Sequence, residues 1–201
     1  MLKDKQPLGH KSCALPPAQH AVIIYFAYGS NMLTERITGR AKDAKKLGVA
    51  HITGRRLTFH KIGTRRNGST TGKCDICIDA DPKAIVYGVL YQIPKAQFDD
   101  LNTYEKGYSS IKLVVHSPEL GVVSAVAHVA DRTDATLIPY DWYHGLVLEG
   151  AREHKLPDYY IREHVQNVPV EDTTGSTYKD AKEAKALLQR LRDTRTAGCN
   201  L

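Results

Sequence analysis

The stretch Ala21-Val22-Ile23-Ile24-Tyr25-Phe26-Ala27-Tyr28-Gly29-Ser30-Asn31-Met32-Leu33-Thr34-Glu35-Arg36-Ile37 decides how the rest of the chain is read. The apolar run Ala21 to Phe26 has the length and composition of a buried strand. It stops at Tyr28-Gly29-Ser30-Asn31, and a helix-like Met32 to Ile37 follows. A glycine therefore sits where a strand turns into a helix. Glycine tolerates backbone angles that other residues avoid and lets a ligand come close to the main chain. Such a turn delivers N–H groups at a helix start, which suits carboxylates, phosphates or oxyanions. The plainer reading is a tight turn with Ser30 or Asn31 capping the helix. Local geometry leaves both open.

Outward from this turn the chain alternates strands with short connections. Val22 to Tyr28 is the first strand, and a short helix near Leu33 to Gly39 follows. Lys46 to Ile62 has strand-like pieces that end in a turn-rich loop, Gly63 to Gly72. Asn67-Gly68 in that loop is a hairpin signal. Lys73 to Ala80 and Ile85 to Ile93 read as strands joined at Asp81-Pro82. Both alternating sets of Ile85 to Ile93 contain apolar residues, as in a strand buried on two sides. Pro94 opens a helix from Lys95 to Glu105, with Phe98 and Leu101 on its core face and Gly107 ending it. Tyr108 to His116 and Val122 to Ala130 form a hairpin across Pro118-Glu119-Leu120-Gly121. The remainder is helical: Asp141 to Lys155, Asp158 to Val168 after Pro157, and an amphipathic Thr177 to Thr194 with a Leu187, Leu188, Leu191 stripe. That last helix either packs back or forms a partly free tail. Strands first and helices last make the fold class α+β.

At 201 residues the chain makes one domain with a sizeable core. We expect a mobile extension over 1–21, a catalytic domain over 22–170 and a charged C-terminal helix or tail over 171–201. No apolar run reaches membrane-spanning length, and the first twenty residues lack the apolar core of a signal peptide. Cys74-Asp75-Ile76-Cys77 falls on a strand, where residues three apart point to opposite faces; a zinc or thioredoxin-like reading does not fit. Nothing suggests a disulfide scaffold, so the expected location is cytoplasmic.

The net charge of +6 is uneven. From Arg36 to Lys73 the only acidic residue is Asp43, whereas acidic residues outnumber basic ones from Cys74 to Val170. The bland reading is a solvated edge. The sharper one is attraction of an anionic substrate or of nucleic acid. Only Phe59 interrupts the basic segment with an aromatic ring, which weighs against nucleic acid.

Phe26-Ala27-Tyr28-Gly29-Ser30-Asn31-Met32-Leu33-Thr34-Glu35-Arg36 resembles the signature strand–loop of the γ-glutamylcyclotransferase (AIG2-like) family. Leu101-Asn102-Thr103-Tyr104-Glu105-Lys106-Gly107-Tyr108 resembles that family's catalytic-glutamate segment. Tyr143 through Gly150-Ala151-Arg152-Glu153 to Leu156-Pro157 is similar to its C-terminal helical segment. The blocks keep the family's order and rough spacing, over about Val22 to Val168. The resemblance implies a small mixed, partly closed β-barrel flanked by helices, with the active-site cavity at one end. It also implies cyclisation of a γ-glutamyl amino acid to 5-oxoproline plus free amino acid, with no cofactor. The alternatives are the same chemistry on γ-glutamylamines, or a nucleic-acid or anion-binding module using Arg36 to Lys73.

Glu105 matches the family's catalytic glutamate. Placed at the C-terminal end of its helix, it would face the negative end of the helix dipole, and a tyrosine-lined pocket would bury it. A carboxyl so placed can shuttle protons near neutral pH. From the resemblance, Tyr25, Phe26, Ala27, Tyr28, Gly29, Ser30 and Asn31 form the substrate wall, and Tyr143 contacts substrate from the helical side. Tyr143 is equally readable as a half-core tyrosine. The histidines make no H-x-x-x-H pair, so no metal is expected, and Tyr-Gly-Ser-Asn lacks the G-x-S-x-G of a serine hydrolase. The expected partner is a small γ-glutamyl molecule rather than a membrane or nucleic acid, and a homodimer is left open. No positive residue can be assigned from sequence to a leaving-group carboxylate.

Overall fold

The computed structural model describes residues 21–64, 68–173 and 178–198. Arg65, Arg66 and Asn67 of the basic loop, the expected extension before Ala21, and Cys13 and Cys199 lie outside the described residues.

Five strands close into a barrel in the order β1-β5-β2-β6-β7: β1 (Val22–Ala27), β5 (Ile85–Pro94), β2 (Lys45–Thr53), β6 (Tyr108–Ser117) and β7 (Gly121–Ala130). All neighbours are antiparallel except β7 and β1, which close the ring in parallel at Tyr25↔Val126. The small mixed barrel that the family resemblance implies is present, with its ring closed. β5 is the most deeply sunk strand, with Val86, Val89, Leu90, Tyr91 and Ile93 buried between β1 and β2.

β3 (Arg55–Thr64) and β4 (Thr70–Ile78) form a separate two-stranded ribbon, the hairpin anticipated from Asn67-Gly68. Its register shifts between Thr58 and Lys61, and Lys61 stands opposite Lys73. The Ala130 amide donates to Asp75 Oδ1 at 2.8 Å and the Asp134 amide to the His60 carbonyl at 2.8 Å, so the ribbon is tied to the end of β7.

A tight turn, Ser30–Met32, leads from β1 into α1 (Thr34–Arg40). α2 (Lys95–Asn102) starts at Pro94, as expected, but stops three residues short of Glu105. The amides of Thr103, Tyr104 and Glu105 bond the carbonyls three residues back, at 3.0, 3.0 and 3.1 Å. This tighter winding ends the helix, and Gly107 then takes the left-handed φ of 76° that lets the chain enter β6. Glu105 therefore lies in a turn beyond the helix rather than at its end.

α3 (Asp141–Glu153) crosses the mouth of the β1–α1 turn. α4 (Asp158–Tyr160) continues into a π-helical Ile161–Gln166. α5 (Lys179–Gly198) packs back on α3: Leu188 sits against Gly145, Arg195 pairs with Glu149, and Lys185 reaches Asp141 at 3.3 Å. Among the described residues no helix is long and apolar enough to cross a membrane.

Candidate active site

A small cavity opens where the Tyr28–Asn31 turn, β4, the α2–β6 turn, β7 and α3 meet. It holds about 290 Å³ with its mouth included, and is lined by Tyr25, Tyr28, Gly29, Ser30, Asn31, Cys74, Glu105, Tyr108, His128 and Tyr143. Six of the eight residues expected to form the substrate wall are in it. Phe26 and Ala27 are not: both are buried in the barrel, paired with Leu90 and Val89 of β5.

Glu105 is held from two directions. Arg40 Nη1 donates to its Oε1 at 2.9 Å, and Asn31 Nδ2 donates to the same oxygen at 3.0 Å. Arg40 Nη1 also donates to Asn31 Oδ1 at 2.9 Å, which closes a three-residue ring. Tyr104 lies under the Arg40 guanidinium, 5.1 Å from the ring centroid. The carboxylate thus meets a charged partner where the sequence suggested a helix dipole and an apolar pocket.

From Asn31 the hydrogen bonds run on in one direction. Asn31 Nδ2 also donates to Tyr25 Oη at 3.1 Å. Tyr25 Oη lies 3.2 Å from His128 Nδ1, and His128 Nε2 lies 2.7 Å from Asn102 Oδ1. An amide oxygen only accepts, so Nε2 carries the imidazole proton and Nδ1 accepts from Tyr25. Burial, reinforced by Arg40 and opposed by Glu105, lowers the His128 pKa, in keeping with a neutral ring. The ring stacks on Phe98 at 5.6 Å and 6°.

The tyrosines divide by where their protons go. Tyr25 donates to His128, Tyr28 to the His128 carbonyl, and Tyr108 to the Cys74 carbonyl at 2.8 Å. Tyr143 Oη instead accepts from the Cys74 amide at 3.1 Å, and its own proton faces the Cys74 sulfur, a weak acceptor. Burial is the leading cause that pushes all four phenols above their ordinary range, so they are neutral donors near neutral pH. Cys74 is likewise pushed up to about 12 by burial. Cys77 points elsewhere on β4, toward Thr58, as two strand residues three apart should.

Gly29 has a negative φ of −117°, so a left-handed turn is not its reason for being glycine. A Cβ there would come within 3.0 Å of Cys74 Cβ and 3.5 Å of Tyr143 Oη, inside the cavity. Neither Ser30 nor Asn31 caps a helix. Ser30 Oγ accepts from Arg36 Nε at 3.2 Å, and Asn31 is committed to Glu105, Tyr25 and Arg40.

Four cations of the basic segment gather here. Arg36 and Arg40 share one face of α1, and Lys61 and Lys73 face each other on the ribbon. Burial first, then Arg40, lowers Arg36 to about 10. Arg55 and Arg56 are engaged elsewhere, with the Ile76 carbonyl and Asp79. Among the described residues no three His, Cys, Asp or Glu side chains cluster as metal ligands would. Sequence reasoning missed Arg40, Cys74, Tyr108 and His128. The only local signals were the i, i+4 spacing of Arg36 and Arg40 and the closeness of Tyr108 to Glu105.

The profile of the AIG2-like family matches residues 85–163. Human gamma-glutamylcyclotransferase is 26% identical over 164 residues, covering 80% of this chain and 86% of the relative. The mouse protein of that name is 28% identical over 145 residues, covering 68% and 74%. A solved structure named gamma-glutamyl cyclotransferase superposes with a TM-score of 0.74 at 25% identity, covering 85% of this chain and 99% of that one. A human crystal structure gives 0.73 at 26%, covering 84% and 98%. Family profile, curated relatives and solved structures all point to the AIG2-like, gamma-glutamylcyclotransferase family.

Proposed function

We propose that this protein is a γ-glutamylcyclotransferase that converts γ-glutamyl amino acids to 5-oxoproline and free amino acid, with Glu105 as the proton carrier. The observation that carries this reading is the Glu105 carboxylate, held by Arg40 and Asn31 at the wall of a cavity whose other side is the Gly29 turn.

The substrate's own α-amine is the nucleophile. Glu105 takes a proton from the ammonium, and the freed nitrogen bonds to the γ-carbonyl carbon, whose oxygen becomes an oxyanion. As the tetrahedral intermediate collapses, Glu105 gives its proton to the departing nitrogen and the original C–N bond breaks; Glu105 then takes the second proton from the ring nitrogen and passes it to the free amine, which leaves as the ammonium. One carboxyl thus serves every proton transfer. Holding the glutamyl chain folded, so that amine and carbonyl meet, supplies the proximity term. Tyr143, whose proton rests on a weak acceptor, and the backbone N–H groups near Gly29 and Ser30 are the donors for the oxyanion or the substrate α-carboxylate. Tyr25, Tyr28 and Tyr108 donate to protein acceptors and so shape and brace the wall.

Release of 5-oxoproline is measured by mass spectrometry from a panel of γ-glutamyl amino acids and γ-glutamylamines. Wild type is run beside Glu105→Gln, which keeps shape but not basicity. Turnover that falls about 10²–10⁴-fold in the variant, with unchanged melting, supports the assignment. Release that is undiminished in the variant removes Glu105 from the role, and no release from any substrate overturns the activity.

A further inference from the structure

We propose that Lys73, working with Lys61 across the β3–β4 ribbon, forms a carboxylate subsite at the rim of the cavity that recognises the α-carboxylate of the leaving amino acid. The inference rests on the cyclotransferase reading and extends it to the choice of leaving group.

Lys61 and Lys73 are direct cross-strand partners. Like charges in that position repel and destabilise a ribbon. Neither is left to water in the usual way of edge lysines. Lys61 is only 6% exposed; its Nζ donates to the Lys106 carbonyl at 2.7 Å and lies 4.7 Å from the Tyr108 ring centroid. Lys73 is half-buried, with Nζ 5.7 Å from the ring centroid of buried Tyr143. Among the described residues Lys73 has no carboxylate and no hydrogen-bond acceptor. Glu105, the nearby anion, is taken by Arg40. The groups facing the Lys73 ammonium are Lys61 from β3, Arg36 and Arg40 from α1, Glu105 from the α2–β6 turn and Tyr143 from α3. Burial first, then Lys61, lowers its pKa to about 8.

A surplus of uncompensated positive charge at the edge of a small-molecule cavity calls for an anion from the ligand. Tyr143 stands between the two: its hydroxyl borders the cavity and its ring lies beneath Lys73. Lys73 is also next in sequence to Cys74, whose amide holds that hydroxyl. A substrate with its γ-carbonyl at the Tyr143 hydroxyl would send its leaving group along the ring toward Lys73. A γ-glutamyl amino acid carries a second carboxylate there, and a γ-glutamylamine carries none.

The test compares γ-glutamylalanine with γ-glutamylethylamide, the same skeleton without the carboxylate. Wild type, Lys73→Met and Lys73→Arg are assayed for 5-oxoproline. Lys73→Met should raise KM for γ-glutamylalanine about tenfold with kcat retained, the scale of one charge-assisted hydrogen bond, and leave the ethylamide KM in place. Lys73→Arg should restore most of the loss. In wild type the γ-glutamylalanine KM should climb above about pH 8 relative to that of the ethylamide, as Lys73 loses its proton. Equal effects on both substrates, or a KM ratio that is flat from neutral to alkaline pH, overturn the subsite and leave the cyclotransferase standing. Release from neither substrate by wild type overturns both. Should Lys73→Met fail to fold, the wild-type pH dependence of the KM ratio decides the matter alone.

Discussion

Arg40 and Glu105 lie 65 residues apart in sequence and form an ion pair of 2.9 Å at the cavity wall. Side-chain exposures of 18% and 15% place the pair at the boundary of solvent, where a charged hydrogen bond fixes direction more than it adds stability. Asn31 bonds both partners, so the carboxylate has one orientation, set by the helix α1 that follows the Gly29 turn.

Arg40→Met should therefore lower kcat by about 10²-fold, the cost of about 1 Å of misplacement at a reacting group. Melting should change little, because the pair is partly solvated. Steady-state kinetics with a γ-glutamyl dipeptide and a thermal melt on the same sample check this. An unchanged kcat would mean that Arg40 does not orient Glu105.

The strands and their connections were legible because alternation and turn residues are local properties. Asp81-Pro82 and Pro118 to Gly121 marked connections that the structure contains. The closing contact of the barrel, Tyr25 with Val126, leaves no local trace, since it joins residues a hundred positions apart in parallel. Glu105, Tyr143 and the Gly29 turn were found through resemblance to a family, and the structure brings them to one cavity. The surroundings of Glu105 were misjudged because Pro94 and the apolar spacing predict where α2 starts but not where it ends. Termination depends on i−3 bonding at Thr103 to Glu105 and on the left-handed Gly107. Arg40, Cys74 and His128 come from three separate elements, and only the fold makes them neighbours.

Cys74 sits in the cavity wall and invites a thiol mechanism. Burial, opposed by the Tyr143 hydroxyl and aided by Asp75, pushes it up to about 12, so the thiolate is scarce at neutral pH. Cys74→Ala should keep turnover close to wild type, far from the roughly 10⁶-fold loss that follows removal of a true nucleophile. Iodoacetamide at neutral pH should leave Cys74 unmodified in the folded protein, as read by peptide mass mapping. Stoichiometric alkylation of Cys74 with matching inactivation would sink the substrate-amine mechanism.

Acid should destabilise the protein before its carboxylates titrate. Burial lowers the pKa of His51, His128 and His154 below the ordinary histidine value. His116 adds to the effect on His51, Arg40 on His128 and Lys46 on His154, while Glu105 and Glu153 partly oppose it on the latter two. In the unfolded chain these histidines titrate near about 6.5. As pH falls through that value the unfolded state takes up protons that the folded state refuses, so stability present above it is lost. At this chain length each kcal/mol lost lowers Tm by about 2–4 °C, so the loss is read as a fall in Tm between slightly alkaline and mildly acidic buffer. His51 stacks on His116 at 5.5 Å at the β2–β6 seam, outside the cavity lining. His51→Gln should therefore flatten the dependence while leaving turnover intact. Differential scanning calorimetry across that range decides it: a Tm that holds or rises on acidification would mean that these rings are not kept neutral by the fold.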